Sequence, residues 1–221
     1  MPPIKLNTPK GVIGGWYAEP HDQPRGGIVL VQEIFGVNSH IRSTVERFAA
    51  HGFSVVAPAF FDHVERGVEL DYDDAGIARG RELVAEVGFD RALEDVEVAA
   101  NLLRDRGVEH VGVVGFCWGG TVAFLSNTRL GLPAVSYYGG RTVPFLRERP
   151  KAHLMMHFGS RDPHISAEDV QAHRDALPRA LIRVWDAGHG FNCEQRADFD
   201  EEASRGAFRL TRRFCRWVLG S

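Results

Sequence analysis

The sequence predicts an α/β fold, a mostly parallel central sheet with helices on both faces. Three observations carry this. Six short apolar runs recur along the 221 residues, each continuously hydrophobic rather than alternating, as strands buried on both faces of a parallel sheet are. Between them lie stretches with apolar residues at helical spacing and their own start and stop signals, so strand and helix alternate as in repeated βαβ units. Polar residues with chemistry to offer, Glu33, Cys117, Arg141, Asp162 and His189, follow directly on these runs, and the ligand site of such a sheet lies beyond the carboxyl ends of its strands.

The first strand is GGIVLVQ (26–32). Asn38 or Ser39 caps the helix after it, HIRSTVERFAAHG (40–52), and Gly52 stops it. FSVVAPAFF (53–61) is the second strand, ended by Pro58. DDAGIARGRELVAEVG (73–88) reads as a helix weakened by Gly76 and Gly80. In RALEDVEVAANLLRDRG (91–107), Leu93, Val96, Ala100 and Leu103 share one helical face, and Gly107 ends it. HVGVVGF (110–116), LPAVSYYGG (132–140), AHLMMHFGS (152–160) and ALIRVWDAG (180–188) complete the strands. WGGTVAFLSN (118–127), SAEDVQAHRDAL (166–177) and EEASRGAFRLTRRFCRWVLG (201–220) complete the helices. No repeat or domain-sized linker interrupts this series, so one domain over residues 1–221 is expected.

Composition excludes several function classes. A net charge of −3 with 25% charged residues leaves no electrostatic footprint for nucleic acid or an anionic membrane. No apolar run approaches the ~20 residues of a membrane span, and MPPIKLNTPKG lacks the apolar stretch of a secretory signal. Three cysteines, widely spaced and odd in number, make no disulfide framework, so a reducing cytoplasmic setting is expected, for a monomer or weak homodimer. His153 and His157 flank LMM, with His164 close by, but the run reads as a buried strand, and no metal or cofactor is expected there. Cys215 lies among apolar residues of the last helix and reads as packing.

Cys117 is different. It stands in Gly-Phe-Cys-Trp-Gly between a predicted strand and a predicted helix, a G-x-C-x-G form of the nucleophile elbow. The sharp turn needs small neighbours, which Gly115, Gly119 and Gly120 supply. It sets the sulfur at a helix N-terminus and makes the Trp118 backbone N–H a natural oxyanion donor. A buried structural thiol is the competing reading. Two further residues weigh against it. Asp162 in GSRDP and His189 in AGHGF follow the next predicted strands, in the order nucleophile, acid, histidine. A histidine so placed exchanges the proton while the carboxylate fixes its tautomer. Singly, Asp162 reads as a turn residue and His189 as a loop residue; it is the ordered set that points to catalysis.

VQEIFGVN, GFCWGG, YYGG, GSRDP and GHGFN together resemble the dienelactone hydrolase family of α/β-hydrolases, from about Val12 to the C-terminal helix. The resemblance implies the α/β-hydrolase fold and a Cys117–His189–Asp162 triad. It also implies an acyl-thioester intermediate and an oxyanion hole from the backbone N–H groups of Ile34 and Trp118. The family carries a glutamate at the position of Glu33, expected to hold the resting thiol proton until substrate displaces it; a loop brace is the alternative role. The family's dienelactone-cleaving enzymes hold the substrate carboxylate with two arginines, at positions that align here with His63 and Cys193. The expected substrate is therefore a small neutral ester or lactone. Arg141, directly after SYYGG, is either a replacement cation, assisted by protonated His63, or a solvent-facing arginine, and Phe35 and Tyr138 are expected to line the substrate site. Arg196 is expected to brace the C-terminal loop. Two rivals remain: a carboxylesterase or thioesterase acting on neutral small esters, and a non-catalytic redox or ligand-sensing module built on Cys117. The second has no use for Asp162 and His189.

Overall fold

Continuously apolar strands must be covered on both faces and hydrogen-bonded on both edges, and the chain meets both needs with a single eight-stranded sheet. The computed structural model describes residues 3–220. The strands are β1 (Pro3–Thr8), β2 (Gly11–Ala18), β3 (Gly27–Val31), β4 (Ser54–Pro58), β5 (Val111–Phe116), β6 (Ala134–Tyr137), β7 (Leu154–Gly159) and β8 (Leu181–Trp185). Their order is β1-β2-β4-β3-β5-β6-β7-β8. From β4 to β8 every pair is parallel, and β1 and β2 add an antiparallel hairpin at one edge. All six predicted strands are present. The hairpin has no counterpart in the sequence reading: PIKLNT is half polar, and GVIGGWYA carries three glycines, the composition of a loop. Residues of β3 to β7 are buried throughout, whereas β8, at the open edge, leaves Leu181 and Val184 exposed.

The helices are α1 (Ser39–Ala49), α2 (Asp74–Asp105), α3 (Trp118–Leu125), α4 (Ala167–Ala176) and α5 (Glu201–Leu219). Asn38 caps α1 by accepting from the Ile41 N–H. The two helices expected over 73–88 and 91–107 are joined end to end as α2, broken at Gly88 by a φ of 68°. Successive residues identify the faces. A side chain at Gly26 would meet Leu219 of α5, and one at Gly27 would meet Leu103 of α2, so α5 and α2 cover opposite sides of the sheet. Phe48 of α1 packs on Phe208 of α5, and Phe89 of α2 stacks on Trp118 of α3, which places α1 with α5 and α3 with α2. Gly80, read as a weakness in its helix, has a packing role. A Cβ there would overlap the Ile34 carbonyl oxygen, so its absence lets α2 press onto the loop that follows β3. Among the described residues no helix is long and apolar enough to cross a membrane.

Candidate active site

The turn from β5 into α3 is the strained point of the chain. Cys117 has φ 54° and ψ −116°, and Tyr138 (φ 38°) is the other non-glycine residue at positive φ among those described. Such a backbone costs on the order of 1–3 kcal/mol and persists only where its surroundings hold it. Here they do. The Cys117 N–H donates to the Tyr137 carbonyl at 3.0 Å. A Cβ on Gly115 would overlap the Gly119 carbonyl oxygen, and one on Gly119 would overlap the carbonyl oxygens of Val31 and Gln32. The elbow is thus wedged against the end of β3 by backbone contacts that only glycine permits.

The strand-end loops converge on this turn. Cys117 Sγ lies 3.2 Å from Nε2 of His189, and Nδ1 of the same ring lies 2.7 Å from Oδ2 of Asp162. The other carboxylate oxygen, Oδ1, accepts the backbone N–H of His164 at 2.8 Å. An ionised carboxylate only accepts, so Nδ1 is the donor; in the neutral ring Nε2 then presents its lone pair to the sulfur. His189 and Asp162 are buried and Cys117 is partly exposed. Burial opposes a charge on His189, but its hydrogen bonds to Asp162 and Cys117 outweigh that and raise its pKa, which strengthens the ring as a base. The rings of Tyr138 and His164 stand edge-on to His189 at 5.2 and 5.0 Å.

A cavity of about 370 Å³ opens over the sulfur, lined among others by Ile34, Phe35, Cys117, Trp118, His164 and His189. Among the described residues no backbone acceptor takes up the N–H of Ile34 or of Trp118. Three arginines also line it: Arg81, Arg141 and Arg196. A larger groove of about 1140 Å³, between Pro150, Leu181 and Trp217, shares no residue with this cavity.

Several expectations need correction. His63 does not line the cavity: its Nε2 lies 2.9 Å from Asp95 on the buried face of α2, and both side chains are almost fully enclosed. Burial raises Asp95 to about 6, with His63 pulling the other way. Tyr138 is fully buried behind His189 rather than in the cavity wall. Arg196 does lie against its loop, packed over Gly190, but it also reaches the cavity, with Nη1 3.6 Å from Oε1 of Glu33. Glu33 makes no hydrogen bond to the thiol; the sulfur is engaged by His189 and the carboxylate leans towards Arg196. Phe35 and Arg141 do line the cavity. Arg81 and His164 were missed because a helix midsection and a turn give no linear sign that they overhang a site. His153 packs on Trp217, and His157 lies between Trp185 and Thr211.

The family model described as the Dienelactone hydrolase family matches residues 13–218. The chain belongs to the dienelactone hydrolase family. Membership makes it a hydrolase acting on a small molecule, and the sheet and helices are those of the α/β-hydrolase fold. "Carboxymethylenebutenolidase" of Pseudomonas putida is 30% identical to this dienelactone hydrolase family member, over 81% of the chain and 80% of the relative. A Synechocystis sp. protein named "Putative carboxymethylenebutenolidase" is 32% identical over 89% of this chain and 88% of its own. The crystal structure of a "Putative Dienelactone Hydrolase" from Klebsiella pneumoniae superposes with a TM-score of 0.87 at 26% identity, covering 96% of each chain.

Proposed function

We propose that this dienelactone hydrolase family member cleaves a small carboxylate-bearing ester or lactone through an acyl-thioester on Cys117. The observation that carries the reading is the unbroken line Asp162–His189–Cys117, with contacts of 2.7 and 3.2 Å. His189 Nε2 takes the thiol proton as Sγ attacks the acyl carbon, and Asp162 steadies the imidazolium so formed. The carbonyl oxygen gains the negative charge and is met by the N–H groups of Ile34 and Trp118. Collapse breaks the ester C–O bond, and the leaving oxygen receives the proton from His189. A water then gives a proton to the same nitrogen and its oxygen to the acyl carbon. The second collapse expels the sulfur, which recovers the proton, and the acid is released.

The charge of the substrate follows from the cavity wall. Missing cations at His63 and Cys193 argued for neutral substrates, but Arg81, Arg141 and Arg196 line the cavity instead, and such groups favour a carboxylate. The rival carboxylesterase reading predicts the opposite preference. The test compares kcat/KM for an anionic and a neutral ester of matched size in the parent and in Arg81→Ala, Arg141→Ala and Arg196→Ala. The anionic preference should fall by about tenfold or more in at least one variant, with neutral turnover little changed. Equal turnover of both esters by the parent would leave the neutral-ester reading standing. Cys117→Ala should abolish both activities while the fold survives.

A further inference from the structure

Three buried side chains of differing chemistry meet beside the active site without being used by the mechanism above: Glu33 after β3, His40 in the first turn of α1, and Cys193 four residues beyond His189. Each contributes one ligand atom, and these atoms lie within 4.8 Å of one another. Their hydrogen bonding is incomplete. Both carboxylate oxygens of Glu33 and Nε2 of His40 are enclosed yet have no hydrogen-bond partner among the described residues. A buried carboxylate with no hydrogen bond is costly, and its ion-pair partner Arg196, Nη1 3.6 Å from Oε1, is beyond hydrogen-bond reach.

We propose that Glu33, His40 and Cys193 form a binding site for a soft divalent cation of the zinc type, and that its occupation inhibits the hydrolase. One oxygen, one imidazole nitrogen and one sulfur make a ligand set typical of Zn²⁺. Tetrahedral zinc holds its ligand atoms about 3.5 Å apart, so the cluster closes by about 1 Å, within the reach of side-chain rotation. Cys193 binds as the thiolate and loses its proton to solvent. The sulfur is already supported: Asn38 Nδ2 donates to the Tyr72 hydroxyl oxygen at 2.9 Å, which leaves the phenol hydrogen to Cys193. Burial and the nearby Glu33 push the free Cys193 thiol up to about 11, opposed by that phenol hydrogen bond; a bound cation reverses this balance.

Inhibition follows from what the ligands adjoin. Glu33 precedes Ile34, whose N–H faces the proposed oxyanion, and Cys193 belongs to the turn after His189. A cation there takes Glu33 away from Arg196 and holds both turns. This half of the proposal rests on the Cys117 reading; the binding half does not.

The experiment separates them. Cys117→Ala protein, which lacks the other thiol of the site, is titrated with Co²⁺ and then Zn²⁺. One ion per chain is expected, with a thiolate-to-cobalt charge-transfer band in the near ultraviolet. The band should vanish in Cys117→Ala/Cys193→Ser, and His40→Gln should weaken binding by about 10- to 100-fold. In protein that keeps Cys117, Zn²⁺ should inhibit ester hydrolysis, and Cys193→Ser or His40→Gln should raise the inhibitory concentration by about tenfold or more. Absence of the band at millimolar Co²⁺, or its persistence without Cys193, overturns the site. Binding with inhibition unchanged in both variants overturns the inhibitory role alone. Loss of the Cys117 reading leaves the cobalt result intact.

Discussion

Replacing Asp162 by asparagine tests the triad through hydrogen-bond directionality. The carboxylate serves two donors at once, the His189 Nδ1–H at 2.7 Å and the His164 backbone N–H at 2.8 Å. An amide offers one oxygen and one NH₂, so it satisfies both positions only if one partner becomes an acceptor. A backbone N–H never can; the imidazole can, by changing tautomer. Asparagine therefore turns its oxygen to His164 and its NH₂ to His189, moving the ring proton to Nε2. The nitrogen facing Sγ is then occupied and unable to take the thiol proton. The loss expected in kcat/KM is about 10⁴-fold, or about 5 kcal/mol of transition-state stabilisation, the scale of the same change in a serine triad. The assay is release of p-nitrophenolate from p-nitrophenyl acetate, with urea melts confirming a fold close to the parent's. The His189 pKa, raised in the parent by its hydrogen bonds to Asp162 and Cys117, should fall once the carboxylate no longer opposes burial, as followed by NMR of the ring protons. Activity of the Asp162→Asn protein within about tenfold of the parent would refute the reasoning.

Two further outcomes concern the fold that carries the site. Gly119→Ala drives a Cβ into the carbonyl oxygens of Val31 and Gln32; backbone cannot step aside as a side chain does, so about 1–3 kcal/mol of stability and most of the activity should be lost. A change in urea midpoint within error would contradict the wedged elbow. His157, fully buried, accepts from the Trp185 indole and donates to Thr211, and burial with the charge of Arg183 pushes it down to about 3. It stays neutral when folded, while the unfolded residue takes a proton below about 6.5. Its contribution is therefore complete above pH 6.5 and is lost as the pH falls towards 3, by at most about 1.4 kcal/mol per pH unit. The urea midpoint of His157→Gln should decline less steeply over that range; parallel slopes would count against it.

Much of this architecture is legible without coordinates, for identifiable reasons. The parallel strands are continuous apolar runs, and the residues that follow them, Cys117, Asp162 and His189, are brought together because the sheet aligns its strand ends. The β1–β2 hairpin escaped because its glycines and polar residues carry no burial signal. The arginines escaped for a different reason. Gly80 marks the point where α2 presses on Ile34, which sets Arg81 over the cavity, but a glycine in a helix does not announce what it approaches. His63 was misassigned because proximity along the chain says nothing of Asp95, thirty-two residues on, which captures its ring. The pairing of Glu33 with His40 and Cys193 links three separate elements and has no linear signature.

The central claim is that Cys117 carries the acyl group. An activated ester with a slowly hydrolysed acyl group, mixed with the enzyme and quenched in acid within the first turnover, is read by intact mass and then by peptide mapping. One acyl adduct per chain is expected, on the peptide containing Cys117, decaying at the rate of steady-state turnover. Cys117→Ala should show no adduct and no turnover. Turnover retained by Cys117→Ala, or an acyl group found on another residue, would contradict it.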